Sequence, residues 1–443
     1  METPICDFVQ AYAESQTLRL HMPGHKGLSL LGMEHLDITE ISGADSLYET
    51  DGIIARSEEN ASRLFGCRTL YSTEGSSQCI RAILYLAMIH AKGQGRRPRI
   101  AAGRNAHKTF LTATALLDLE VLWLRSRHQS GYLSCDLSPQ ELEEYLAAEK
   151  PTAVYLTSPD YLGNMADIRG LSQVCHRHGA ILLVDNAHGA YLRFLPKSRH
   201  PMDLGADLCC DSAHKTLPVL TGGAYLHLSD AMDRAVGQQA KNALMLFGST
   251  SSSYLILQSL DAANRYLEQY PRLLSEFLPK ITALKDRLIS HGYTLYGQEP
   301  LKITVEAKPF GYTGQRLAEL LRLRGMEPEF ADRDYLVLMM APALGDVALE
   351  RIGEALCQIP RLEPIREPAP VCGTVRQAMS IREAMLSPSE MLSSQQCGGR
   401  ILAVPSVGCP PAVPILVCGE EIDAHAIECF RYYGIVQCCV VKR

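Results

Sequence analysis

The chain has 443 residues, 47% of them hydrophobic and 21% charged, with a formal net charge of −6. Such a composition suits a globular protein of two or three domains with a large core, and its acidic balance gives no electrostatic case for nucleic acid. No stretch approaches the roughly 18 apolar residues of a membrane span, and Met1-Glu-Thr-Pro-Ile-Cys-Asp7 has neither a basic nor an apolar leader segment. The fifteen cysteines are scattered and odd in number, so reduced thiols in the cytoplasm are expected and a zinc site is not.

Residues 1–50 hold no long periodic segment and read as an arm with a short amphipathic helix near Ile5–Ser15. From about Gly52 helical and apolar segments alternate. Helical patterns fall at 55–65, 78–91, 107–117, 139–148 and 171–178, and strand-like runs at 99–102, 120–124, 153–156, 181–184, 207–210 and 224–228. Repeated strand–helix–strand units predict an α/β fold with a mostly parallel, doubly covered sheet. A helical stretch, Ser253–Gly292, is interrupted near Tyr270-Pro271. A smaller α/β unit follows, with strands at 301–305 and 335–340 and helices at 314–321 and 347–357, and the Pro-rich stretch 360–370 reads as a linker.

In such a sheet, ligands bind beyond the carboxyl ends of the strands. Asp160, Asp185 and Lys215 each lie just past a strand-like run, so one site can collect all three. A strand-end acid followed thirty residues later by a lysine meets the needs of pyridoxal 5′-phosphate (PLP), which is held by a lysine Schiff base with an acid on its pyridinium nitrogen. Taken alone, Asp185 could equally form a turn or cap a helix, and Lys215 could be a surface lysine. The string Thr73-Glu-Gly-Ser-Ser77 precedes an apolar helix, where Gly75, Ser76 and Ser77 offer N–H and hydroxyl donors and a favourable dipole to a phosphate. An ordinary serine N-cap is the plainer reading.

Six collinear strings resemble the Orn/Lys/Arg decarboxylase family of PLP fold-type I enzymes. They are His21-Met-Pro-Gly-His-Lys26, Arg104-Asn-Ala-His-Lys-Thr109, Thr157-Ser-Pro-Asp-Tyr-Leu-Gly163, Val184-Asp-Asn-Ala-His-Gly189, Ser212-Ala-His-Lys-Thr-Leu-Pro218 and Cys409-Pro-Pro-Ala-Val-Pro414. The length resembles the family's compact members, which lack an N-terminal wing domain. The resemblance implies an arm over 1–50, a PLP-binding large domain over 51–290, a small α/β domain over 291–360 and a C-terminal domain over 371–443. It implies that Lys215 carries the cofactor, that Asp185 pairs with the ring nitrogen, and that Ala187 leaves room for the ring. His188 would lie near the phenolic oxygen, and His107 would stack on the ring and gate the substrate carboxylate. Ser212 and His214 would form a second phosphate-side group beside Gly75, Ser76 and Ser77, and Thr250 would reach the phosphate of a neighbouring subunit.

Three departures stand out: Pro218 with Thr221-Gly-Gly223 after the lysine, Cys409 in place of Tyr, and Ala412 in place of Gly. The expected reaction is decarboxylation of arginine, lysine or ornithine by a cytoplasmic homodimer or larger homo-oligomer, in polyamine biosynthesis. Lys215 or His214 would return a proton to Cα. A distal amine or guanidinium needs a carboxylate, for which Asp45, Glu49, Asp160 and Glu420 are candidates. Another fold-type I reaction, such as transamination or elimination, and a non-catalytic paralogue are the alternatives.

Overall fold

The computed structural model describes residues 1–124, 131–232, 234–370, 375–405 and 413–443. The string at Cys409, with Ala412, falls mostly outside them. The first seven strands are β1 (Arg68–Ser72), β2 (Arg99–Gly103), β3 (Glu120–Leu124), β4 (Ala153–Thr157), β5 (Ile181–Asp185), β6 (Leu208–Asp211) and β7 (Ala224–Leu228). Helices α1 (Pro4–Glu14), α2 (Ile53–Phe65), α3 (Gly75–Gly93), α4 (Lys108–Leu117), α5 (Pro139–Glu149) and α6 (Ile168–Arg177) alternate with them, and α7 (Ala213–Thr216) is a single turn. Then come α8 (Arg234–Gln238), α9 (Ala240–Met245), α10 (Tyr254–Leu267) and α11 (Tyr270–Ser290). The chain divides into two compact units, the first comprising Met1–Pro98, Lys150–Leu156 and Ile168–Arg272, and the second Arg99–Glu149, Thr157–Asp167 and Leu273–Arg443.

In the first unit the strand order is β1–β7–β6–β5–β4. β5 and β6 run parallel, with Asp185 opposite Cys210, and β7 lies antiparallel to both β6 and β1. All five residues of β5 are buried. A strand covered on both faces must be apolar throughout, and for that reason Ile181-Leu-Leu-Val184 shows no alternation. The expected helices are present with their ends moved by a few residues. The break expected near Tyr270 separates α10 from α11, and Pro271 sits in the first turn of α11, where its missing N–H costs nothing.

In the second unit β2 and β3 pair in parallel. A separate antiparallel sheet has the order β10–β11–β9–β8, built from β8 (Thr294–Tyr296), β9 (Lys302–Glu306), β10 (Phe330–Ala331) and β11 (Tyr335–Met339). Helices α12 (Gly314–Arg322) and α13 (Gly345–Cys357) accompany it. Near the C-terminus α14 (Ile381–Leu386) carries a capping box between Ser380 and Glu383. There β12 (Ser389–Ser393) and β13 (Gln437–Val441) form an antiparallel pair, and α15 (Ala424–Tyr432) packs Phe430 into a core with Leu402, Ile422 and Val440. Among the described residues no helix is long and apolar enough to cross a membrane.

Candidate functional site

The parallel pairing of β5 with β6 brings their carboxyl ends side by side, and each end delivers one reactive group. Asp185 closes β5 and is 2% exposed. Beyond β6 the chain enters the single turn α7, in which the Lys215 N–H bonds to the Ser212 carbonyl at 3.0 Å and the Leu217 N–H to the Ala213 carbonyl at 2.8 Å. This turn carries Lys215, an exposed residue, whose Nζ lies 3.1 Å from His188 Nε2.

The Asp185 carboxylate accepts the Tyr155 hydroxyl at 3.0 Å through Oδ2 and the Ala187 N–H at 3.2 Å through Oδ1. Burial pushes its carboxyl up from the ordinary value, while the charge of Lys215 and the Tyr155 hydroxyl oppose that rise. A cationic partner is what such an acid calls for. His214, also on the turn, donates Nδ1–H to the Gly223 carbonyl at 3.0 Å, and burial lowers its pKa.

The candidate phosphate loop opens α3. Gly75 has φ +70°, and a Cβ added there would meet nothing within 4 Å, so space lies open in front of the helix N-terminus. Ser76 accepts the Ser212 hydroxyl at 2.7 Å, tying this loop to the residue that precedes α7. Ser77 follows in the first turn of α3, half-buried.

Thr221-Gly-Gly223, in sequence only a departure from the family pattern, joins the two halves of the site. The Gly222 carbonyl accepts the Gly75 N–H at 2.7 Å, and the Gly223 carbonyl accepts the His214 N–H at 3.2 Å. Side chains are excluded from it. Gly222 has φ +100° and a Cβ there would come within 2.9 Å of the Thr73 carbonyl oxygen, while one on Gly223 would lie 2.2 Å from Val219. Tyr155 was missed too, because its role depends on strand neighbours rather than on any local string.

Most of the other expected residues have local partners of their own. Thr250 is exposed in the turn ahead of α10. His107 belongs to the second unit, where it caps α4: Nδ1 accepts the Thr109 N–H at 3.2 Å and lies 2.9 Å from the Thr109 hydroxyl. Of the four distal carboxylates, Asp45 takes the N–H groups of Gly52 (2.9 Å), Ile54 (2.8 Å) and Ala55 (3.3 Å) at the start of α2. Glu49 is exposed. Glu420 pairs with Arg104 at 3.1 Å and accepts the Val417 N–H at 2.8 Å. Asp160 bonds Ser134 and the Asn164 side chain, each at 2.7 Å, and lines a polar cavity of about 210 Å³ with Thr157, Tyr296 and Gln298.

Residues 3–307 match the model of the family described as Orn/Lys/Arg decarboxylase, major domain. The chain is 27% identical to the uncharacterized protein YaaO of Bacillus subtilis, over 97% of this chain and 93% of the relative. It is 26% identical to an arginine decarboxylase of the same organism, over 96% of this chain and 92% of the relative. Its fold matches the crystal structure of the Francisella novicida lysine decarboxylase LdcF with a TM-score of 0.82 at 15% identity, covering 99% of this chain and 81% of that one. The α/β architecture and the family match agree, and the chain belongs to the Orn/Lys/Arg decarboxylase family of PLP-dependent, fold-type I enzymes.

Proposed function

We propose that this protein releases the α-carboxylate of arginine as CO₂, with PLP held where β5 and β6 end. The observation that carries the reading is the meeting of Asp185 and Lys215 at the ends of two parallel neighbours. The preference for arginine over lysine and ornithine rests on relatives named arginine decarboxylase that align with 96–97% of the chain.

The donor set fits the cofactor. Asp185 is a buried acid suited to a cationic ring nitrogen, the space before Gly75 lies at a helix N-terminus, and the Ser76 and Ser212 hydroxyls flank it. Lys215 would hold PLP covalently, with Asp185, Ala187 and His188 around the ring and Gly75, Ser76, Ser77, Ser212 and His214 toward the phosphate. His107, which by family resemblance stacks on the ring, and Thr250, which would serve a partner subunit, complete the proposed set. When bound, PLP supplies the electron sink that accepts the pair left by the departing carboxylate.

The protein's own groups manage protons and charge. Opposite a cationic ring nitrogen the buried Asp185 would carry its negative charge where such a charge acts most strongly. His188 Nε2, 3.1 Å from Lys215 Nζ, can take a proton from the ammonium and leave a nucleophilic amine. His214 commits its one neutral-state proton to the Gly223 carbonyl through Nδ1, so its Nε2 carries none to give. Lys215 is therefore the proton donor to Cα in this scheme.

The functional subdivision into an arm (1–50), a cofactor domain (51–290), a small domain (291–360) and a C-terminal domain (371–443) belongs to the same reading. So does assembly of two or more copies. The decisive experiment incubates the purified chain with PLP and measures CO₂ from arginine, lysine and ornithine in parallel, alongside Lys215→Ala. Release from arginine in the wild type, with release and the visible cofactor band both lost in the variant, is expected. Bound PLP with no CO₂ from any of the three would sink the decarboxylase assignment, and release from lysine or ornithine alone would reassign the substrate.

A further inference from the structure

One residue before Ser212, Asp211 is fully buried at the end of β6 with no part in the scheme above. Its Oδ2 accepts Nε2–H from His200 and from His227, each at 3.0 Å, and both imidazoles are fully buried as well. Its Oδ1 accepts the Asn186 side-chain amide at 2.6 Å. Burial alone would push this carboxyl up; the two imidazoles overcome that and hold it well below the usual carboxylate range. An ionised carboxylate accepts only, so it dictates the orientation of every donor around it. His200 Nδ1 faces the Met202 N–H at 3.4 Å and His227 Nδ1 the Thr69 hydroxyl at 2.9 Å, which leaves the Nε2 protons for Asp211.

Asn186 is the link from this cluster to the site. Its N–H bonds to the Cys210 carbonyl at 3.0 Å, and its side-chain amide bonds to Asp211, so both ends of the residue are fastened to β6. The turn is closed by the Gly189 N–H on the Asn186 carbonyl at 2.8 Å, and a Cβ on Gly189 would lie only 1.9 Å from Asn186 Oδ1. The residues on either side of Asn186 are Asp185 and Ala187, whose N–H bonds to Asp185 Oδ1.

We propose that Asp211, clamped by His200 and His227, is a positioning residue. Through Asn186 it fixes the turn that aims the Asp185 carboxylate, and through the next residue it fixes the Ser212 hydroxyl on Ser76. The inference rests on the reading that Asp185 faces the cofactor. The donor atoms of His200, Cys209 and Asp211 also lie within 4.8 Å of one another, a spacing a metal ion could use. The hydrogen-bond pattern favours protons there, since each imidazole already directs Nε2–H at Asp211 with its other nitrogen matched to a donor.

The test titrates purified full-length chain with PLP, followed by visible absorbance, and compares Asn186→Ala and Asp211→Asn with the wild type. Asn264→Ala is the control: Asn264 belongs to another buried polar cluster of the same unit, donating to Ser57 and to the Tyr71 hydroxyl at 2.8 Å. Loss of a charge-assisted hydrogen bond should weaken PLP binding about tenfold or more in both site variants and shift the band of the bound cofactor. Asn264→Ala should lower Tm and leave the PLP titration at its wild-type value. Should Asp211→Asn fail to fold, Asn186→Ala alone decides. A wild-type titration curve for Asn186→Ala overturns the proposal, as does stoichiometric zinc in the purified protein. A wild-type chain that takes up no PLP overturns the cofactor reading itself and the inference with it.

Discussion

Burial pushes the carboxyls of Asp185 and Asp211 alike toward the neutral form, and the neighbours decide the outcome. Asp211 has two imidazoles and an amide and stays ionised; Asp185 has a hydroxyl and one backbone N–H, and its carboxyl is pushed up. Asp332, in the second unit, shows the consequence for stability. It is 8% exposed, its Oδ1 accepts the N–H groups of Asp334 at 2.8 Å and Tyr335 at 2.7 Å, and burial still drives its carboxyl up to about 6. Between roughly pH 4 and 6 the folded chain therefore holds a proton that the unfolded chain has released. Its contribution falls as pH rises through that window, by an amount on the order of 3 kcal/mol. Tm measured by circular dichroism should fall less steeply over that range for Asp332→Asn than for the wild type; parallel pH profiles would refute the assignment.

At the scale of elements, the start of α3 is tied to the one-turn α7 by the Ser212–Ser76 hydrogen bond and by the Gly222-Gly223 segment that bonds to both. Gly75 shows why a glycine opens α3: at φ +70° an L side chain is strained by about 1 kcal/mol, and its Cβ would enter the space assigned to the phosphate. Gly75→Ala should accordingly raise the Kd for PLP severalfold with only a modest drop in Tm. An unchanged Kd would move the phosphate elsewhere.

Much of this level was legible in the sequence. Apolar runs such as Ile181-Leu-Leu-Val184 announce buried strands, and the strand ends at Asp185 and just before Lys215 announce the site. β1 was not legible, because Arg68–Ser72 is short and is completed by β7, with Arg68 opposite Leu228. Tyr155, Asp211 and Gly222 were hidden for the same reason: each acts through a partner distant in the chain, and no local pattern encodes that partner.

For the whole molecule, the arm leaves a surface that asks to be covered. Leu18, Leu20, Met22, Leu28, Leu30 and Leu31 are each at least 66% exposed. They do not belong to a loose tail, since the Glu34 carboxylate accepts the N–H groups of Leu30, Leu31, Gly32 and Met33 at 2.6–3.1 Å. Exposed leucines on a hydrogen-bonded segment are what the proposed self-assembly would cover. Sedimentation of the wild type should give a dimer or larger species, and Leu30→Asp combined with Leu31→Asp should shift it toward monomer with unchanged circular dichroism. A wild type that sediments as a monomer across micromolar concentrations would remove this proposal.

The two glycines after the lysine turn carry a last implication. A rigid ligand of fixed length, gripped at both ends, tolerates little play between its grips, and adjacent carbonyls at Gly222 and Gly223 hold one grip each. One peptide unit thus separates the two grips, the shortest spacer a backbone can place between them.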